Sequence, residues 1–283
     1  MTAPSKVAVV GGGRMGAGIA QVFAALGSTV VIAEAADQEA ALGRVSTGLD
    51  RAHERGKLSE DPAAILARVS TVAGPADLPA DLDLVVEAVP EIPALKVEVL
   101  ALIDKVASEN AVIASNTSSI SIAELGAALS DPSRFIGMHF FNPVPASTLV
   151  EIVRAPATSP DVVERVQQWV SLLGKTEVLV NDSPGFATSR LGVCLGLEAI
   201  RMLEEGVADA ESIDHAMELG YKHPMGPLRS TDLVGLDVRL AIAEHLASTL
   251  GDRFTPPQLL RDMVARGDIG RKSGRGFHDW TNT

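Results

Sequence analysis

A histidine and a glutamate twelve positions apart carry the first sign of chemistry in this chain. His139 ends an apolar run within Gly137-Met138-His139-Phe140-Phe141-Asn142-Pro143, and Glu151 lies in the next one, Leu149-Val150-Glu151-Ile152. A loop containing proline separates the runs, so they read as neighbouring strands joined by a turn. In that arrangement the carboxylate fixes the imidazole tautomer and stabilises the imidazolium formed when the ring takes a proton, which makes a general base. The bland alternative is a satisfied histidine at a strand end and a surface glutamate. The N-terminus weighs against it, because a nucleotide-binding signal there gives a base something to work with.

That signal is Gly11-Gly12-Gly13-Arg14-Met15-Gly16, a G-x-G-x-x-G run directly after the apolar stretch Lys6 to Val10. Gly11 permits a tight turn, Gly13 lets the backbone approach a pyrophosphate, and Gly16 lets the following helix pack on the strand. The helix, read as Ala17 to Leu26 and stopped by Gly27, presents free N–H groups and a positive dipole to phosphates, with Arg14 and Met15 of the glycine turn as further cofactor-binding candidates. A second apolar run, Thr29 to Ala33, ends in Glu34. A carboxylate there can accept from both ribose hydroxyls and repels a 2′-phosphate, so NAD is favoured over NADP.

These groups need a scaffold, and the next segments describe one. Asp37 to Arg68 reads as one amphipathic helix, Val69 to Val72 as a minor strand, Leu82 to Val89 as a buried strand and Pro93 to Ala107 as a helix opened by proline. Arg51, Arg55 and Lys57 form a local basic cluster, either a solvated helix face or a seat for an anionic ligand. Ala111 to Ser115 is a further strand, followed by Asn116-Thr117-Ser118-Ser119. Glu91, Asn116, Ser118 and His139 all follow apolar runs, so a doubly wound sheet gathers them at the carboxyl ends of its strands. One of Ser118 and Ser119 could cap a helix over Ile120 to Leu129 while the other faces a substrate, and Asn116 could equally be a turn residue.

After a helix at Asp161 to Leu173 and a strand at Thr176 to Val180, the pattern changes at Pro184-Gly185. Helical spacing runs from Thr188 onward, with Leu191, Leu195, Leu197, Ile200, Met202 and Leu203 as one stripe, and helices at Ala210 to Leu219, Asp232 to Thr249 and Pro257 to Arg266. The expected architecture is α/β: a Rossmann-type, doubly wound, mostly parallel sheet over residues 1–183, and an all-helical substrate and dimerisation domain over 184–283. Helices apolar on more than one face suggest a homodimer through that second domain.

Composition narrows the function classes. A formal net charge of −12 without a long basic run makes nucleic acid a poor partner. No apolar run approaches the ~20 residues that span a bilayer, and no signal peptide is visible in Met1 to Ser5. The single cysteine, Cys194, excludes an intramolecular disulfide, and the chain reads as cytoplasmic. The remaining histidines show no close metal-ligand spacing, so no metal site is expected.

Taken together, Gly11 to Gly16, Asn116 to Ser119, Gly137 to Pro143, Val150-Glu151, Pro184-Gly185-Phe186, His223 to Pro227, Gly235-Leu236-Asp237 and Gly270 to Phe277 occur in an order that closely resembles the L-3-hydroxyacyl-CoA dehydrogenase family across the whole chain. Its short-chain bacterial branch, 3-hydroxybutyryl-CoA dehydrogenase, is similar in length. The resemblance implies an NAD-dependent enzyme of an acyl-CoA substrate. His139 would take the proton of the 3-hydroxyl as hydride leaves C3, Glu151 would support the histidine, and Ser118 would bond the reacting oxygen with Asn142 nearby. Glu34, Glu91, Lys96 and Lys272 match positions that contact NAD, joined by Asn116, Ser118 and Asn142 around the reacting centre. Arg51, Arg55 and Lys57 fall where relatives bind the CoA phosphates. One departure is Ser189, where the family usually has an asparagine beside the substrate; His278, Asp279 and Trp280 in the tail are another. Alternatives are a dehydrogenase of a free hydroxy acid such as gulonate, and a non-catalytic NAD-binding protein. Acyl-chain length and physiological direction are not encoded legibly.

Overall fold

The computed structural model describes residues 2–281, and the chain falls into two compact units, Met1–Ser183 and Pro184–Thr283. In the first, β1 (Lys6–Val10), α1 (Arg14–Ala25), β2 (Thr29–Ala33), α2 (Gln38–Glu54), α3 (Pro62–Leu66) and β3 (Val69–Val72) lead to β4 (Leu84–Glu87), α4 (Pro93–Val106) and β5 (Val112–Ser115). Then come α5 (Ile122–Gly126), β6 (Phe135–Phe140), β7 (Leu149–Arg154), α6 (Pro160–Leu172) and β8 (Thr176–Asn181). The eight strands form one sheet in the order β3-β2-β1-β4-β5-β6-β7-β8. All neighbours are parallel except β6 and β7, which run antiparallel.

Strands β1, β4 and β5 are near-continuous runs of Val, Leu, Ile and Ala because helices cover both faces of a parallel sheet. Their side chains, with Ile19, Phe23, Val45, Leu49, Val166 and Trp169 from the helices, make the core of the first unit. The strand order reverses direction between β1 and β4, the place where such sheets open a crevice at their carboxyl edge.

The second unit contains α7 (Thr188–Glu204), α8 (Ala210–His215), α9 (Pro227–Val234), α10 (Leu236–Leu250) and α11 (Gln258–Arg266), with its own core of Val193, Leu197, Ile200, Leu228, Leu236, Leu246 and Leu260. Two buried carboxylates fasten its tail. Asp232 accepts from the Phe277 and His278 amides and the Trp280 indole, and Asp214 pairs with His278 Nε2 at 2.8 Å.

Several element boundaries differ from the sequence reading. The helix expected over 37–68 is two, because Gly56 takes φ +62 and Asp61 caps a new start at Pro62. Neither Ser118 nor Ser119 caps the next helix. Ser121 does so, accepting from the Glu124 amide, and α5 is correspondingly short. The segment 232–249 breaks at Gly235, whose φ of +107 ends α9 and starts α10. The helix expected over 210–219 ends at His215 and continues as a wider π turn over Ala216–Gly220. Leu191, placed in the apolar stripe of α7, is 69% exposed, since the buried face is Val193, Gly196, Leu197 and Ile200.

Candidate active site

The glycine turn is shaped by close approaches on one side and open space on the other. Gly11 has φ +102, and a Cβ there would stand 2.7 Å from the Ala88 carbonyl oxygen. A Cβ on Gly16 would meet the Gly11 oxygen at 1.8 Å, so only glycine lets α1 start this close to the strand. At Gly13, by contrast, nothing lies within 4 Å, and no side chain caps the first turn of α1 at Arg14 and Met15. That combination, an uncapped helix start above open space, fits the pyrophosphate of a dinucleotide.

Glu34 stands at the end of β2, where Oε2 accepts from the Gly12 amide and Oε1 from the Ala36 amide, both at 2.8 Å. Burial pushes its carboxyl up, but hydrogen bonds from the Ala36, Gly12 and Asp37 backbone and the Arg44 charge outweigh this and hold it below the usual glutamate range. Arg44 also donates to the Gly12 carbonyl at 2.9 Å, a contact that sequence reasoning did not single out. An ionised group at this place suits ribose hydroxyls and opposes a 2′-phosphate. The residues present therefore fit NAD.

Further along the same sheet edge, the ends of β4, β5 and β6 come together. His139 and Glu151 are register partners across the antiparallel pair, with Nδ1 and Oε2 3.0 Å apart. The glutamate is fully buried and the histidine 7% exposed. Asn116 Oδ1 accepts from the Phe140 amide at 2.8 Å, tying the loop after β5 to the strand that carries His139. Glu91 Oε1 accepts from Thr117 Oγ1 at 2.6 Å and from the Ser118 amide at 2.8 Å, with Ser118 Oγ at 3.2 Å. Burial raises the Glu91 carboxyl, while Lys96, Thr117 and Ser118 together pull it below its ordinary range. Asn142 is exposed in the loop between β6 and β7, where a cis bond joins it to Pro143. Lys175, buried beneath that loop, donates to the Val144 carbonyl at 2.7 Å. Desolvation alone lowers its pKa.

Lys96, expected at the cofactor, is 1% exposed, because α4 presents that position to the end of β4, where Glu87 accepts from it at 2.7 and 3.0 Å, with the Val89 carbonyl and Glu91 Oε2 each 3.3 Å away. Glu87 itself and Thr117 escaped the sequence reading. The usable signal was a lone acid closing the apolar run Leu84-Val85-Val86-Glu87 with a lysine on the helix that follows.

Arg51, Arg55 and Lys57 are exposed at the end of α2 and just beyond it, and none of them makes an ion pair with another described residue. In the second unit Ser189 lies in the first turn of α7, and Lys272 pairs with Asp237 at 2.6 Å. Among the described residues no group of three or more His, Cys, Asp or Glu could hold a metal ion, and no helix is long and apolar enough to cross a membrane.

Comparison with known proteins bears on the family. Residues 6–183 match the model of the 3-hydroxyacyl-CoA dehydrogenase NAD binding domain, and residues 185–280 that of the C-terminal domain. A probable 3-hydroxybutyryl-CoA dehydrogenase of Deinococcus radiodurans is 43% identical over 278 residues, covering 97% of this chain and 100% of that one. A 3-hydroxybutyryl-CoA dehydrogenase of Mycobacterium tuberculosis is 44% identical over 283 residues, covering 97% and 98%. The crystal structure of (S)-3-hydroxybutyryl-CoA dehydrogenase from Ralstonia eutropha superposes with a TM-score of 0.93 at 43% identity, over 98% of this chain and 99% of that one. With both domain models matched in sequence and near-complete coverage of such relatives, this chain belongs to the 3-hydroxyacyl-CoA dehydrogenase family.

Proposed function

We propose that the chain oxidises short-chain L-3-hydroxyacyl-CoA thioesters, 3-hydroxybutyryl-CoA foremost, to the 3-oxoacyl-CoA, reversibly and with NAD. The observation that carries this reading is the His139–Glu151 contact at 3.0 Å on the carboxyl edge of the sheet. An ionised Glu151 can only accept, so Nδ1 carries the proton and Nε2 presents its lone pair. Nε2 then takes the proton of the 3-hydroxyl, and Glu151 stabilises the imidazolium that results. Ser118, oriented by Glu91, bonds the reacting oxygen, and Asn142 helps position the substrate. NAD, when bound, supplies the acceptor for the hydride from C3, with Gly11, Gly13, Gly16 and Glu34 holding its adenosine diphosphate half. The exposed cations Arg51, Arg55 and Lys57 offer a seat for CoA phosphates. Ser189 and Lys272 of the second unit are proposed contacts of substrate and cofactor, and the second unit is proposed to pair with its copy in a homodimer.

The direct test is NADH formation by purified protein with NAD and L-3-hydroxybutyryl-CoA, beside free 3-hydroxybutyrate and NADP as controls. Turnover with the thioester and NAD alone is expected. Turnover with the free acid at equal efficiency would remove CoA from the proposal, and NAD binding without turnover of either would remove the enzyme.

A further inference from the structure

The pair Glu87–Lys96 is the most deeply buried ion pair of the first unit, with side chains 0% and 1% exposed. Glu87 Oε1 accepts from Lys96 Nζ and from the Val89 amide, and Oε2 from Lys96 Nζ and from Ser115 Oγ at 2.6 Å. Apart from Lys96 on α4, each contact of this carboxylate fastens a segment that leaves the carboxyl edge of the sheet: Val89 after β4, Ser115 at the end of β5. The Lys96 ammonium reaches further. It also donates to the Val89 carbonyl at 3.3 Å and lies 3.3 Å from Glu91 Oε2, while Glu91 Oε1 holds Thr117 and Ser118. The contacts form one continuous line, Glu87 to Lys96 to Glu91 to Ser118.

Stability alone does not account for ions in this place. Taking two charges out of water is costly, and apolar side chains of similar volume commonly hold a fold as well or better. The same strand and helix do use apolar residues for that purpose at Val85, Val86, Val99 and Leu100. The distinctive property of the pair is its charge arithmetic. Glu87 cancels Lys96, so the carboxylate that orients Ser118 keeps its own negative charge on the open side, where its side chain is 37% exposed.

We infer that Glu87 is a positioning residue for the dehydrogenation proposed above: through Lys96 it fixes both the place and the uncancelled charge of Glu91, and through Glu91 the direction of Ser118. Without Glu87, Lys96 turns wholly to Glu91 and neutralises it. A site that distinguishes the cationic nicotinamide of NAD from the neutral ring of NADH then loses part of that distinction.

The experiment compares wild type, Glu87→Gln and Glu87→Gln/Lys96→Met, the last removing both charges together. For each variant the melting temperature, the dissociation constants of NAD and NADH, and kcat and KM for L-3-hydroxybutyryl-CoA are measured. The double variant is expected to melt within about 5 °C of wild type. Its kcat is expected to fall by about tenfold or more while KM for the thioester moves less than about threefold. NAD affinity is expected to weaken more than NADH affinity in Glu87→Gln, whereas the double variant, which removes the cation as well, is expected to return towards the wild-type ratio. A Glu87→Gln variant that keeps kcat and the NAD to NADH affinity ratio of wild type would overturn the inference, as would a double variant that fails to fold, because the pair would then serve the fold alone. If wild type is silent on the thioester while the affinity ratio shifts as expected, the positioning role stands and the substrate reading fails.

Discussion

His139 faces Glu151 because two strands of opposite direction place them in register, and because Glu151 is walled off from water while the ring keeps slight access. Replacing the ring with an amide keeps the shape and removes the proton acceptor. His139→Gln is therefore expected to lower kcat by about 10²–10⁴-fold, with NAD affinity nearly unchanged, as steady-state rates and cofactor titration would show. Turnover within a few-fold of wild type would assign the base elsewhere. At this scale the sequence was informative wherever a residue type has few other uses. A glycine triplet after a strand, an acid at the end of the next strand and a histidine at a strand end could all be read directly. Glu87, Thr117 and Arg44 could not, since their partners are 9 to 32 residues away and lie in other elements. Nor does a sequence show that Lys96 is buried.

Elements were legible by period and by proline, less so by their ends. The strands and α4 lie within a residue or two of their expected bounds because apolar runs and Pro93 mark them clearly. The misplaced boundaries fall where one glycine conformation or one choice among adjacent serines decides, as at Gly235 and Ser121. The antiparallel turn of β6 into β7 was inferred from a loop rather than from any pairing preference. How α4 is tied to its surroundings yields a test of charge. Burial pushes the Asp104 carboxyl up, but bonds from Ser130 and the Arg134 guanidinium, 2.6 Å away, outweigh it and hold it below the ordinary aspartate range. A folded pKa below the unfolded one gives stability that is present above the unfolded pKa, about 3.9, and lost as pH falls through the folded value. Asp104→Asn should thus cost about 1–3 kcal/mol at pH 7, with the difference shrinking below about pH 3. Urea unfolding at both pH values measures it, and an equal loss at both would assign the effect to shape instead of charge.

At the scale of the molecule, two units with separate cores leave an apolar surface to explain. Leu191, Val207, Leu219 and Tyr221 in the second unit are 60 to 75% exposed, more than a solitary helical unit of this size would ordinarily leave open. Light scattering is expected to return about twice the 29.5 kDa chain mass. Leu219→Glu with Tyr221→Glu is expected to shift it towards one, and a monomeric wild type would refute the pairing. The sequence offers the pairing only as an expectation from surplus apolar residues, because no periodicity names the surface that covers them. The β6–β7 pairing has a different consequence for the whole. The proposed proton-transfer pair is indexed by the hydrogen-bonded ladder, whereas the loop from 141 to 148 only connects its rungs and is fastened separately by Lys175. Insertions there can reshape what the molecule accepts without disturbing what it does to it, so substrate range and chemistry can diverge independently during evolution or in a designed library.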